Sequence, residues 1–199
     1  LKGFRTFLRR DGKFYEPFCS YNEDSNRIMS VEKNRLIIEE ECKELGLKVK
    51  VTYFVLPTES IGALVRKVDI TNVSGETVKV EGLDGITKII PYGVQNGMYK
   101  DMSNLFRSYS EAKNIENKAY YITMRGAAGD SAEVVETYGG YFCCTVQNKE
   151  LKDLIYDPDV VFGHDTSMFM PVVFKNEGVA GVKAKTQCYA NKYACGFLP

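Results

Sequence analysis

Lys48 to Val80, KVKVTYFVLPTESIGALVRKVDITNVSGETVKV, decides the fold of this chain. Val49, Val51, Tyr53 and Val55 fall on one face, and Lys48, Lys50 and Thr52 on the other. That alternation suits a half-buried strand, because successive side chains of a strand point to opposite sides of its sheet. Pro57-Thr58-Glu59-Ser60 then breaks the run, since proline cannot donate to a ladder and favours a turn. A second strand places Leu64, Val68 and Ile70 on one side and Lys67, Asp69 and Thr71 on the other. Asn72-Val73-Ser74-Gly75-Glu76 turns the chain again, with Gly75 free to take positive φ, and Thr77 to Val80 is expected to return as strand.

Outside this stretch, 199 residues with 44% hydrophobic content can bury a sizeable core, and a sandwich of this size often stays undivided. One domain over residues 1–199 is therefore the expectation. Lysine plus arginine and aspartate plus glutamate both number 26, so the net charge is zero. Without a basic block there is no electrostatic reason to bind nucleic acid or an anionic membrane. The six cysteines, Cys19, Cys42, Cys143, Cys144, Cys188 and Cys195, include no C-x-x-C pair. They read as buried free thiols in a reducing cytoplasm. No apolar run is long enough to span a bilayer as a helix. The chain opens on Leu1 and closes on Gly196-Phe197-Leu198-Pro199, so it reads as a piece of a longer multidomain protein.

Towards the start, Asp11-Gly12 signals a hairpin between two short aromatic-rich runs. Leu36-Ile37-Ile38 is strand, and Glu39 to Gly46 reads as strand plus turn. Three adjacent carboxylates, Glu39, Glu40 and Glu41, cannot face one point on a strand, which makes them a solvated edge and not a metal site. Leu83 to Ile86 and Ile89-Ile90 are strand-like. Met102, Leu105, Phe106 and Tyr109 share one helical face, so Met102 to Ala112 is the expected helix, its apolar stripe serving packing. Ala119 to Arg125, Val134-Val135, Tyr141 to Val146, Val160 to Phe162, Met168 to Phe174 and Val182 to Tyr189 read as further strands. The fold class is all-β: a large antiparallel β-sandwich with one short helix.

Chemistry-bearing residues are few. His164 is the only histidine, Asp165 beside it points the other way in a strand, and no G-x-S-x-G elbow exists. A hydrogen-bonded loop histidine is the expectation. Metal sites need convergent ligands, so no metal and no cofactor is expected. Galactose mutarotases and related epimerases use a sandwich of this sort, but their chemistry needs several histidines. Thirteen tyrosines could stack on sugar rings, with Tyr92, Tyr99, Tyr120, Tyr121 and Tyr141 near polar turns, or fill the core with hydroxyls at the rim.

Three stretches together resemble the amino-terminal β-sandwich of glycoside hydrolase family 94, the cellobiose phosphorylase, β-1,2-oligoglucan phosphorylase and cyclic β-1,2-glucan synthetase group. They are Thr52 to Pro57 continuing through Arg66 to Glu76, with its Thr-Asn-x-Ser-Gly ending; Met102-Ser103-Asn104-Leu105-Phe106; and Tyr156 to His164. His164 stands where the family suggests arginine, and Arg107-Ser108-Tyr109 replaces its usual acidic pair. The resemblance implies a supersandwich of the galactose mutarotase-like kind. It also implies a following (α/α)6 catalytic domain, in which an aspartate acts as general acid while inorganic phosphate attacks the anomeric carbon with inversion.

On that reading the chain is a non-catalytic accessory domain of an inverting phosphorylase acting on β-linked glucosides. It has no catalytic residue of its own, and inorganic phosphate is the co-substrate of the parent. Asn104, Arg107 and Tyr109 are the expected substrate-binding or interface residues. The catalytic domain, a β-glucan oligosaccharide and a second copy of the chain are the expected partners, and nucleic acid is not. A free-standing carbohydrate-binding sandwich is the alternative, and an aldose epimerase ranks last.

Overall fold

Strand alternation carries through into the structure, a computed structural model that describes residues 3–23, 25–87, 110–115, 119–126, 135–145, 155, 157–165, 167–175, 187–188 and 196–198. Among them the fold is mostly β, eight strand pairings are antiparallel, and one short α-helix interrupts the strands. The chain forms two compact units, one of residues 1–6 and 81–199 and the other of residues 7–80. Strand β1, Phe4–Arg10, contributes to both.

In the unit of residues 7–80, the end of β1 pairs with β2, Lys13–Tyr15, across the two-residue turn Asp11-Gly12. Both turn residues have positive φ, 51° and 78°, the twist that matches a right-handed hairpin. The organising stretch supplies the centre and one edge of a four-stranded sheet ordered β3-β4-β5-β6. These strands are Asn26–Val31, Arg35–Cys42, Leu47–Val55 and Leu64–Asn72. Their register is unbroken, so rows of side chains run across one face: Met29, Ile38, Val51 and Val68, then Val31, Leu36, Tyr53 and Arg66. One end of this face is core, where Leu8, Cys42, Leu45, Leu47, Val49 and Val51 are buried together.

Thr77 to Val80 does not return as strand. It runs irregularly, and Val78 and Val80 pack against that core, so burial and not a ladder places the segment. Strand structure resumes only at β7, Glu81–Ile86, which belongs to the other unit.

In the unit of residues 1–6 and 81–199, β7 pairs with β12, Gly196–Leu198. A second sheet, ordered β10-β9-β8-β11, joins Val135–Cys143, Ala119–Gly126, Ser110–Ile115 and Gln187–Cys188. The expected helix Met102 to Ala112 is overturned at its end. Ala112 pairs with Ile122 on one side and Cys188 on the other, so ladder partners override helical propensity there. Met102 to Tyr109 lie outside the described residues.

Two expected strands are also replaced. Pro158–Phe162 is the helix α1. Asp157 caps it by accepting from Asp159 N at 3.1 Å, Pro158 fits the first turn, and Gly163 ends it with φ of 62°. Val172–Phe174 is a 3-10 helix begun at Pro171. Arg5 is buried against this region, donating to the carbonyls of Met168 and of Phe169, the latter at 3.0 Å, with its guanidinium 5.8 Å from the Phe162 ring centre.

Candidate functional site

The acidic run Glu39-Glu40-Glu41 divides as strand geometry requires, and its three carboxylates meet three different environments. Glu39 faces the solvent side of the sheet and pairs with Lys48 at 2.8 Å and Lys50 at 3.1 Å. Those two ammonium groups lower its pKa from the ordinary carboxylate value. Glu40 turns inward, and its side chain has 0% exposure. The expectation of a solvated edge fails at this residue. Leu36, Ile38, Glu40 and Cys42 alternate onto the core face, a period of two that already placed Glu40 inside.

A buried carboxylate is costly unless it is paired and hydrogen-bonded. Glu40 is both. Oε2 accepts from Arg27 Nε at 2.7 Å and Phe18 N at 2.8 Å. Oε1 accepts from Asn22 Nδ2 at 3.1 Å and from the Tyr15 hydroxyl. Burial, followed by this hydrogen bond, raises the pKa of Tyr15 far above that of a free tyrosine. Arg27 also donates to the carbonyls of Cys19 and of Asn22, the latter at 2.9 Å. With four donors on one carboxylate, Glu40 is engaged as a structural anchor for the segment between β2 and β3 and has no reacting partner.

Glu41 points the other way, into a polar cleft of about 450 Å³ built from three turns. The β1–β2 turn lends Arg10, Asp11 and Lys13, and the β4–β5 turn lends Glu44, Lys43, Leu45 and Gly46. Val73 and Ser74 close it from the turn after β6. Cross-ties hold the turns together. Arg10 Nη1 donates to Leu45 O at 2.5 Å, and Val73 N donates to Gly46 O at 2.8 Å. Asn72 Oδ1 accepts from Ser74 N at 3.0 Å and Ser74 Oγ at 2.6 Å, while Asn72 Nδ2 donates to Glu76 O at 2.5 Å. The Thr-Asn-x-Ser-Gly motif is thus a side-chain-locked turn, with Gly75 at φ of 79°.

The remaining sequence candidates are scattered. Asn104, Arg107, Tyr109, Tyr92 and Tyr99 lie outside the described residues. Tyr121 and Tyr141 are register partners in β9 and β10, and Tyr120 pairs with Phe142. His164 is exposed in the turn after α1. Asp165 beside it accepts from Ser167 N at 2.9 Å and Ser167 Oγ at 2.6 Å, which lowers its pKa. Among the described residues no cluster of three metal-ligating side chains exists, and no helix is long and apolar enough to cross a membrane.

No family model and no curated protein matches the chain. Its own surfaces therefore carry the functional reading. Besides the cleft, the unit of residues 7–80 exposes apolar side chains along the uncovered end of its sheet face. Met29 is 68% exposed, Val31 76%, Val55 62% and Leu64 60%. Register puts these residues on the face that, at its other end, is core. Leu56 and Ile61, in the turn between β5 and β6, are exposed as well.

Proposed function

We propose that this chain is the non-catalytic accessory β-sandwich of a carbohydrate-active enzyme, a supersandwich of the galactose mutarotase-like kind whose parent is an inverting phosphorylase of β-linked glucosides. The observation that carries it is the half-covered sheet face. An accessory domain must dock on the domain that does the chemistry, and contiguous exposed apolar surface of this kind marks an interaction site. Met29, Val31, Val55 and Leu64 offer the apolar centre for such contact, with Arg66 at its edge, its Nε donating to Tyr53 OH at 3.0 Å. The occupant is the following (α/α)6 catalytic domain. Asn104, Arg107 and Tyr109 remain the interface residues that the family resemblance suggests. Free thiols at Cys19, Cys42, Cys143 and Cys144 support a reducing, cytoplasmic setting.

The test is phosphorolysis. The chain alone, incubated with cellobiose or sophorose and inorganic phosphate, releases no glucose 1-phosphate. A longer polypeptide that carries it together with a following α-helical domain does. Release by the chain alone, or an inactive longer polypeptide, overturns the reading.

A further inference from the structure

We infer that the cleft between the three turns of the unit of residues 7–80 is a binding site for a neutral saccharide. Its ionisable lining consists of three cations and three carboxylates, counted as Arg10, Lys13 and Lys43 against Asp11, Glu41 and Glu44. Such a lining favours neither an anion nor a cation. It favours a ligand whose every polar group both donates and accepts, and a sugar hydroxyl is that group. The side chains of four of the six, Lys13, Glu41, Lys43 and Glu44, make no hydrogen bond or ion pair with other described residues, so their ammonium and carboxylate groups are open to a ligand.

The cleft is also pre-shaped. Gly46 forms part of its wall at φ of 61°, where a Cβ would stand 2.6 Å from Ser74 Cβ. The Val73 N–Gly46 O and Arg10 Nη1–Leu45 O ties hold that wall before any ligand arrives, which removes part of the ordering cost of binding. Leu45 and Val73 give the lining an apolar component, suited to the C–H face of a pyranose. A volume of about 450 Å³ is within the range of small-molecule sites. The sugar class rests on the carbohydrate reading above; the neutrality and polyhydroxyl character rest on the cleft alone.

The experiment is an amide-shift titration of the intact chain with glucose, cellobiose, sophorose and, separately, inorganic phosphate. Expected are saturable shifts at residues 10–13, 41–46 and 73–74 with a saccharide, at a roughly millimolar dissociation constant. Lys43→Ala and Glu44→Ala each weaken binding by about tenfold, while sheet amides keep their positions. Absence of saccharide shifts in the cleft overturns the inference, as does a response to phosphate alone. Neither result touches the accessory reading, which the glucose 1-phosphate assay decides separately. Conversely, cleft binding by a chain whose longer polypeptide proves inactive keeps the saccharide site and removes the phosphorylase.

Discussion

Arg27 Nε meets Glu40 Oε2 at 2.7 Å, and of the two partners only the arginine reaches solvent, with 34% of its side chain exposed against 0% for the glutamate. Removing Arg27 would leave a buried charge, whereas removing Glu40 leaves a guanidinium that water can still reach. Even so, Glu40→Ala strands the Tyr15 hydroxyl and Phe18 N, which lose their acceptor, and leaves Asn22 Nδ2 with Glu16 O alone. Breaking such a buried network costs about 3 kcal/mol. Urea denaturation should show that loss. Glu39→Ala, one residue away but facing solvent, should change stability far less, because exposed pairs contribute little. Equal effects at the two positions would contradict the buried network.

Two glycines with nearly the same φ make a graded comparison. Gly46 and Gly75 sit at 61° and 79°, so alanine is strained at both. At Gly75 nothing lies within 4 Å of the added Cβ, and Gly75→Ala should cost only the backbone term of about 1 kcal/mol. At Gly46 the added Cβ would lie 2.6 Å from Ser74 Cβ and 3.2 Å from its Cα, so the turn after β6 must move. Gly46→Ala should cost about 2–3 kcal/mol, read as a lower urea midpoint. Similar midpoints for the two variants would mean that the two turns are not in tight contact.

How much of this was legible in the sequence depends on what fixes each element. The β5–β6 stretch is readable because alternation, proline and glycine all point to the same answer from Lys48 to Gly75, whereas Thr77 to Val80 has strand-like residues but no ladder partner among the described strands. The Asp11-Gly12 hairpin was readable because its turn chemistry is local. Helix α1 was missed although its signals, Asp157 as cap and Pro158 in the first turn, were in plain sequence; the apolar Val160-Val161-Phe162 run suggested strand instead. Ser110 to Ala112 are strand where apolar spacing predicts helix, because periodicity says nothing of strands arriving from residue 119 and residue 187. The cleft was not legible at all. Its walls come from positions near 11, 44 and 74, and only the strand pairings between them bring the turns together.

Alkaline pH should destabilise the fold through Tyr15 and Cys42. Burial, then the Glu40 hydrogen bond, holds the Tyr15 proton in the folded state. In the unfolded chain that proton leaves near pH 10, so above this pH the unfolded state binds fewer protons and stability falls as pH rises. Burial raises the Cys42 pKa in the same sense, which starts the decline from about pH 8.5. Both contributions are complete at neutral pH. Urea midpoints should therefore be flat up to about pH 8 and drop beyond it, with Tyr15→Phe losing the part of the drop above pH 10. Parallel curves for the two proteins would rule out Tyr15 as a source.

The cysteines should react in an order set by exposure and thiolate supply. Cys143 is exposed, Cys42 is buried, and burial with the charge of Asp84 pushes the Cys144 pKa up to about 12. The thiolate is the reactive form, so at pH 8 Cys144 should be modified much more slowly than Cys143 despite adjacency. Cys42 should wait for unfolding. Timed modification with a disulfide reagent, followed by peptide mass analysis, gives the order. All six thiols should titrate once the chain is denatured. Early labelling of Cys42 would show that the core around Leu8 and Leu47 opens readily.

The exposed end of the sheet face gives the last prediction, which separates a docking surface from incidental exposure. β3 is an edge strand, and its one charged side chain, Arg27, is already committed to Glu40. It therefore lacks the outward lysine, proline or bulge with which edges are usually guarded. Met29→Lys combined with Val31→Thr puts a charge on that face and replaces a valine methyl by a hydroxyl. Both residues are exposed in this chain, so its own stability should move by only about 0.5 kcal/mol. In the longer polypeptide the same pair should uncouple the β-domain from the catalytic domain, splitting one cooperative unfolding transition into two in calorimetry. Removing exposed apolar surface should also make the isolated chain less prone to associate, which sedimentation measures. If the double variant unfolds in the longer polypeptide as the parent does, Met29 and Val31 face solvent there too. The docking surface would then have to lie elsewhere.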